Sequence, residues 1–147
     1  SWNLDGGFTA EFDWTGTRDF TSFLAFPDAE QFMERLGAER VRAHNHALVL
    51  RAAALLAARF GPDIAPAPEF TGSMALAPLP DRFPANAESA GAIRDALLFQ
   101  HGVEVPVIVR NGRLWARLAA QVYCDMTDFE RLADALATMA PAPVTSG

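Results

Sequence analysis

The sequence predicts an α+β fold in which a small antiparallel sheet carries its helices on one face, and three observations predict it. Residues 114–123 alternate: Leu114, Ala116, Leu118, Ala120 and Val122 share one side, while Arg113, Trp115, Arg117, Ala119, Gln121 and Tyr123 share the other. That is the pattern of a strand with one covered face. Asn111-Gly112 joins this run to the β-branched residues 103–109, and Asn-Gly suits a type I′ hairpin turn. Segments of helical period flank both, so the order after the first turn is helix, helix, strand, helix, hairpin, helix.

Each element has its own local reason. Phe8, Ala10, Phe12 and Trp14 alternate with Thr9, Glu11 and Asp13, the signature of a half-buried strand. Thr15-Gly16-Thr17-Arg18-Asp19 is a turn before the apolar residues 20–26. Pro27 suits the first position of a helix, with Asp28 and Glu30 at its positive end, apolar positions at Ala29, Phe32, Met33 and Leu36, and Gly37 as its stop. A longer helix is expected over 39–60 with Val41, His44, Leu48, Ala52 and Leu55 on one stripe, ended by Gly61-Pro62. Residues 61–70 form a proline-rich loop and 71–77 a short strand. Residues 87–100 form a helix with Ile93, Leu97 and Leu98, and Asn86 is a candidate cap. Thr127-Asp128-Phe129-Glu130 reads as a capping box opening a last helix, with Phe129, Leu132, Ala133 and Leu136 inward. Residues 141–147 are expected to be a loose tail.

Composition narrows the function. At 147 residues, with 50% hydrophobic and 20% charged residues, the chain can bury a core without a staple. One cysteine excludes a disulfide framework and a Cys-based zinc site. Arg51 and Arg59 break the longest Ala/Leu stretch, well short of the roughly 18 residues of a membrane span. The first residues show no basic region followed by an apolar stretch, so a cytoplasmic location is expected. A net charge of −6 argues against sequence-independent nucleic-acid binding. All 12 basic residues are arginine. Chemistry that needs a lysine amine, such as a Schiff base, therefore cannot be completed by this chain.

Two places offer chemistry. On the open side of the late strand, Arg117 presents a planar fork for a carboxylate and Ala119 leaves room beside it. The same pattern also fits a solvated face whose arginines lie over aromatics. Thr15-Gly16-Thr17 can hold an anion through backbone N–H groups and the Thr17 hydroxyl, or it can be a plain turn with Asp19 as the N-cap. His44-Asn45-His46 is not read as a metal site, because positions two apart on a helix face different ways. Cys124 reads as a small buried hydrophobe and His101 as a helix-end residue.

Ser1-Trp2, then Glu11-Phe12-Asp13-Trp14-Thr15-Gly16-Thr17-Arg18-Asp19, then Trp115-Ala116-Arg117-Leu118-Ala119-Ala120-Gln121-Val122-Tyr123 resemble the C-terminal part of the class V aminotransferase family. The closest likeness is to its isopenicillin N epimerase-like branch, related to cysteine desulfurases, and it runs from residue 1 to about residue 137. The resemblance implies a pyridoxal 5′-phosphate enzyme of fold type I, usually a homodimer with its active site at the subunit interface. It implies that Gly16 and Thr17 contact the cofactor phosphate and that Arg117 pairs with the carboxylate of an amino-acid substrate. It implies a division into residues 1–36, which complete a large cofactor domain, residues 37–140, a small C-terminal domain, and the tail 141–147. The Schiff-base lysine, the ring-stacking residue and the acidic partner of the pyridine nitrogen would lie in a missing N-terminal cofactor domain or on a second chain. No catalytic residue is then expected in this chain, which would be inactive alone, and no metal, nucleic-acid or membrane partner is implied. Members often read Arg-x-Ser…Tyr-Asn where this chain has Ala119 and Cys124. Cys124 also lies later than the persulfide cysteine of desulfurases, so desulfurase activity is not implied. The alternative is a stand-alone, non-catalytic binding domain derived from such an enzyme.

Overall fold

The computed structural model describes residues 7–13, 16–62 and 67–140. Expectations resting on Trp2, Trp14, Thr15 and the tail 141–147 lie outside them. The chain divides after Ala38 into two compact units, Ser1–Ala38 and Glu39–Gly147.

In the first unit, residues 8–13 of the expected strand 8–14 are helical, and Trp14 lies outside the described residues. Gly7–Asp13 is a helix, α1, in which Phe8 and Phe12 stack with ring centroids 4.7 Å apart. Positions 8 and 12 fit both a period of two and an i, i+4 pair, and the helical pairing prevails. Asp19 Oδ1 accepts from the Thr21 N–H at 2.8 Å at the start of the short helix α2, Thr21–Leu24. Helix α3, Phe26–Leu36, carries Pro27 in its first turn and ends at Gly37, whose φ of 82° needs a residue without a Cβ. Neither α2 nor α3 buries a residue, and Phe20, Phe23, Leu24, Phe26 and Phe32 are all exposed.

The second unit follows the expected order. Helix α4, Ala38–Phe60, buries Val41, Asn45, Leu48, Val49, Ala52, Ala53, Leu56 and Ala57. The stripe is rotated from the expected one, passing through Asn45 and Leu56 where His44 and Leu55 were expected. Ala, Leu or Val occupies nearly every position from 47 to 57, so apolarity alone does not fix the rotation. A single 3-10 turn at Pro68–Phe70 leads to strand β1, Met74–Pro78. Helix α5, Ala87–His101, starts at Asn86, whose side chain accepts from the Ser89 N–H, and stops at Gly102 with φ 64°.

Strands β2, Val107–Arg110, and β3, Arg113–Ala119, make the hairpin. Asn111 at φ 50° and Gly112 at φ 70° supply the two left-handed positions that the turn requires. All pairings are antiparallel in the order β1-β3-β2. β2 starts later than expected because Pro106 cannot donate to the ladder, although its carbonyl accepts from the Arg117 N–H at 3.0 Å. β3 ends sooner than expected. The Ala120 N–H reaches Ser73 O, and the Cys124 N–H then closes a turn onto Gln121 O at 2.8 Å, leaving Val122 and Tyr123 exposed.

Helix α6, Met126–Thr138, opens with a capping box two residues earlier than expected. Asp125 is the N-cap and Asp128 reaches back to its N–H at 3.0 Å. Asp accepts as well as Glu does, and Thr127 serves by donating its hydroxyl to Asp125. Leu114, Ala116 and Leu118 of β3 and Ala77 of β1 form one buried cluster with Leu48, Val49 and Leu56 of α4, Ile93 and Leu97 of α5, and Phe129, Leu132 and Leu136 of α6. The three helices thus cover one face of the sheet, and on the other face Met74, Ile108, Arg117 and Ala119 are exposed.

Candidate functional site

The alternation of β3 decides which side chains reach the face away from the helices. The register sets Leu76 beside Arg117, Pro78 and Ile108 beside Trp115, and Met74 beside Ala119. Arg117 therefore stands among apolar neighbours on a sheet face. Trp115 is pinned by its Nε1–H, which donates to Arg110 O at 3.0 Å. Arg113, on the same face, is consumed by structure: its guanidinium donates to Phe60 O and pairs with Asp81, each at 2.6 Å. The exposed guanidinium of Arg117 has no hydrogen bond or ion pair among the described residues.

Arg117 also lines a groove of about 210 Å³ with Glu104, Pro106, Cys124, Asp128 and Phe129. The groove is formed where the segment before β2, the end of β3 and the first turn of α6 meet. Its lining includes one arginine, two acidic residues and an apolar wall, a mixture suited to a small polar ligand. One Asp128 oxygen is committed to the capping box. The sequence singles out Arg117 but not Glu104, Pro106 or Asp128, because nothing in their local sequence brings them to β3. Cys124 is half-buried at the edge of the core and on this groove.

The Gly16-Thr17 turn belongs to the other unit. Gly16 has φ 76°, a Cβ there would meet nothing within 4 Å, and Thr17 is exposed. The Arg18 guanidinium carbon lies 5.1 and 5.3 Å from the ring centroids of Phe20 and Phe23. The Asp19 carboxyl is held below its usual range, first by the Thr21 hydroxyl and then by the Thr21 N–H.

The three histidines lie apart from the groove. His46 Nδ1 lies 2.9 Å from the Thr71 carbonyl, His44 is exposed, and His101 closes α5. Among the described residues no group of three His, Cys, Asp or Glu side chains could hold a metal. No described helix is long and apolar enough to cross a membrane.

An L-cysteine desulfhydrase of Arabidopsis thaliana is 29% identical over 99% of this chain, and a putative L-cysteine desulfhydrase 2 of Oryza sativa subsp. japonica is 31% identical over 90%. An isopenicillin N epimerase of Streptomyces clavuligerus is 32% identical over 82%. The chain belongs to the class V aminotransferase family. No protein-family profile matches the chain. The chain covers 36%, 32% and 30% of these three relatives' lengths, about a third of each. The α+β unit with its three-stranded antiparallel sheet is consistent with a C-terminal domain of that family.

Proposed function

We propose that this chain is the carboxylate-binding part of a pyridoxal-phosphate enzyme acting on an amino acid, with Arg117 taking the substrate's α-carboxylate. The observation that carries the reading is the exposed guanidinium of Arg117, which has no ion pair or hydrogen bond among the described residues and is set beside Leu76, Ile108 and Trp115 on one sheet face. A bidentate fork among apolar neighbours binds a carboxylate more strongly than one in open water. It also fixes the rotation of the amino acid about its α-carbon, which determines which bond is presented for cleavage. Ala119, exposed beside Met74, leaves the space next to the fork open.

The residues present fit the cofactor in one respect. The Gly16-Thr17 turn is open and carries an exposed hydroxyl, as a phosphate contact requires. In another respect the chain is incomplete by itself, for it has no lysine to hold the cofactor covalently. Pyridoxal phosphate, when bound, supplies the electron sink for cleavage at the amino acid's α-carbon. The amine and the groups that face the ring would come from a cofactor domain or second chain, in a homodimer, and this chain alone would be inactive. The exposed aromatic side chains Phe8, Phe12, Phe20, Phe23, Phe26 and Phe32 support such a partner, because apolar surface on this scale marks an interface. The relatives' names support sulfide elimination from cysteine or epimerisation of an amino acid as the reaction class. Both start from the same carboxylate anchoring.

The missing lysine also favours one second reading, a stand-alone, non-catalytic domain that binds a partner protein or a small carboxylate. A visible absorption spectrum of the native particle, with denaturing mass analysis of the same sample, separates the two. A yellow particle containing a lysine-bearing polypeptide is expected. A colourless particle made of this chain alone would overturn the enzyme reading and leave the second.

A further inference from the structure

Asn45 and His46, consecutive on α4, grip the two chain segments that meet at one end of the sheet. Asn45 Nδ2 donates to Gln121 Oε1 at 3.1 Å, just past the end of β3. His46 Nδ1 lies 2.9 Å from Thr71 O and 3.4 Å from Gly72 O, just before β1 begins. Both neighbours are carbonyls, so this nitrogen carries the proton. The two segments are also joined directly by the Ala120 N–H to Ser73 O bond at 2.9 Å.

The Asn45 amide is held in one orientation. Gln121 Oε1 accepts from the Val122 N–H at 2.9 Å as well, so Asn45 can face it only with its nitrogen. That turns Asn45 Oδ1 away, and this buried oxygen meets no donor among the described residues. The residue is 6% exposed and lies on the same stripe as Val41, Leu48 and Val49. A buried acceptor without a donor is a net cost to the fold, and an apolar side chain here would avoid it. What the amide supplies in return is a fixed Gln121. That residue holds the turn 120–124, through the Val122 N–H at its side chain and the Cys124 N–H at its carbonyl. Arg117, two residues before the end of β3, and Cys124, at the close of the turn, line the same groove.

We propose that Asn45, acting through Gln121, is a positioning residue that sets the Cys124 wall of the groove against Arg117, an inference that rests on the reading of Arg117 as the carboxylate site. Cys124 is the only thiol in the chain, so its chemistry reports on the groove alone. The test is disulfide exchange on the 147-residue chain at physiological ionic strength, where distant charges are screened. In this reaction the Cys124 thiolate attacks an aromatic disulfide, a Cys124–aryl disulfide forms, and one aryl thiolate leaves. Two reagents are compared: dithiodipyridine, which is neutral, and dithiobis(nitrobenzoate), which carries carboxylates. The ratio of their rates reads the approach of a carboxylate to Arg117, and the neutral rate alone reads how tightly the turn is held.

Asn45→Leu is expected to leave the thermal midpoint unchanged or raised, to speed the neutral reagent at least about threefold as the turn loosens, and to lower the ratio to that of Arg117→Gln. Gln121→Leu should do the same, and Gln121→Glu, which still accepts both N–H groups, should keep native values. Combining Asn45→Leu with Gln121→Leu should add nothing, because both act on one link. If Asn45→Leu does not fold, Gln121→Leu, at a half-exposed site, carries the test. Native rates with both reagents in the leucine variants, or fully additive effects, would overturn the proposal. An unchanged ratio in Arg117→Gln would instead defeat the carboxylate reading of Arg117, and the neutral rates would still decide whether Asn45 holds the turn.

Discussion

Arg113 is a case in which polar and apolar contributions oppose each other, and replacing it with alanine and with methionine separates them. Its side chain is only 22% exposed, and its guanidinium donates to Phe60 O at 2.6 Å. It lies close enough to Gly61 that a Cβ there would meet Nη1 at 3.0 Å. Alanine removes an aliphatic stem whose burial is worth about 2 kcal/mol. It leaves the Phe60 carbonyl without its charged donor, a further cost of about 1–2 kcal/mol. The Asp81 pair adds little, below about 0.5 kcal/mol, because Asp81 is 79% exposed and solvent screens it. Against these stands a gain: Arg113 Nε is buried with no acceptor among the described residues, and removing it recovers about 1–2 kcal/mol. The net expectation is a loss of about 2 kcal/mol for alanine and below about 1 kcal/mol for methionine, which keeps the stem. At about 3 °C per kcal/mol, the alanine variant should melt about 6 °C lower. Urea unfolding followed by tryptophan fluorescence, with thermal circular dichroism, measures both variants. Methionine as damaging as alanine would refute the view that the stem carries the stability. A loss above about 4 kcal/mol in alanine would show that the buried Nε is not a cost.

Three other outcomes follow from single contacts. Asn86→Ala should cost about 1 kcal/mol in urea unfolding by removing the cap on the Ser89 N–H, and Asn86→Asp should cost almost nothing. Gly112→Ala should cost about 1 kcal/mol or more because φ is 70° there, again read by urea unfolding, whereas Asn111→Gly should be tolerated. The Asp125 carboxyl is held below its usual 3.8, first by the Thr127 hydroxyl and then by the Thr127 N–H. A carboxyl depressed in the folded state stabilises fully above its unfolded value and ceases to do so as pH falls through its folded value. Asp125→Ala should therefore be less stable than native at neutral pH, with the gap closing as pH falls below that range. A gap that is constant with pH would contradict the assignment.

The elements that could be read from sequence are those whose signals are local. Pro27 and Gly37 bracket α3, Asn86 opens α5, and Asn111-Gly112 turns the hairpin, because each acts on its own backbone. The two faces of β3 were legible for the same reason, since alternation is a property of one strand. What escaped was set by neighbours. Residues 8–13 lie in α1, with a contact between Phe8 and Phe12 that the alternation does not exclude. The rotation of α4 sets Asn45 against Gln121, which lies 76 positions away, and no local signal on the helix indicates that contact. Arg117 stood out as a fork on an open face, but the groove beside it is assembled from three separate segments, so Glu104 and Asp128 had no sequence signal.

The most direct test of the account is Arg117→Ala in the pyridoxal-phosphate enzyme that contains this chain, with kcat/KM for the amino acid and bound cofactor per active site measured on one preparation. Loss of a bidentate, charge-assisted contact of about 3 kcal/mol should lower kcat/KM about a hundredfold, with cofactor content unchanged. Equal loss of both, or loss of neither, would contradict the assignment of Arg117 to the substrate carboxylate.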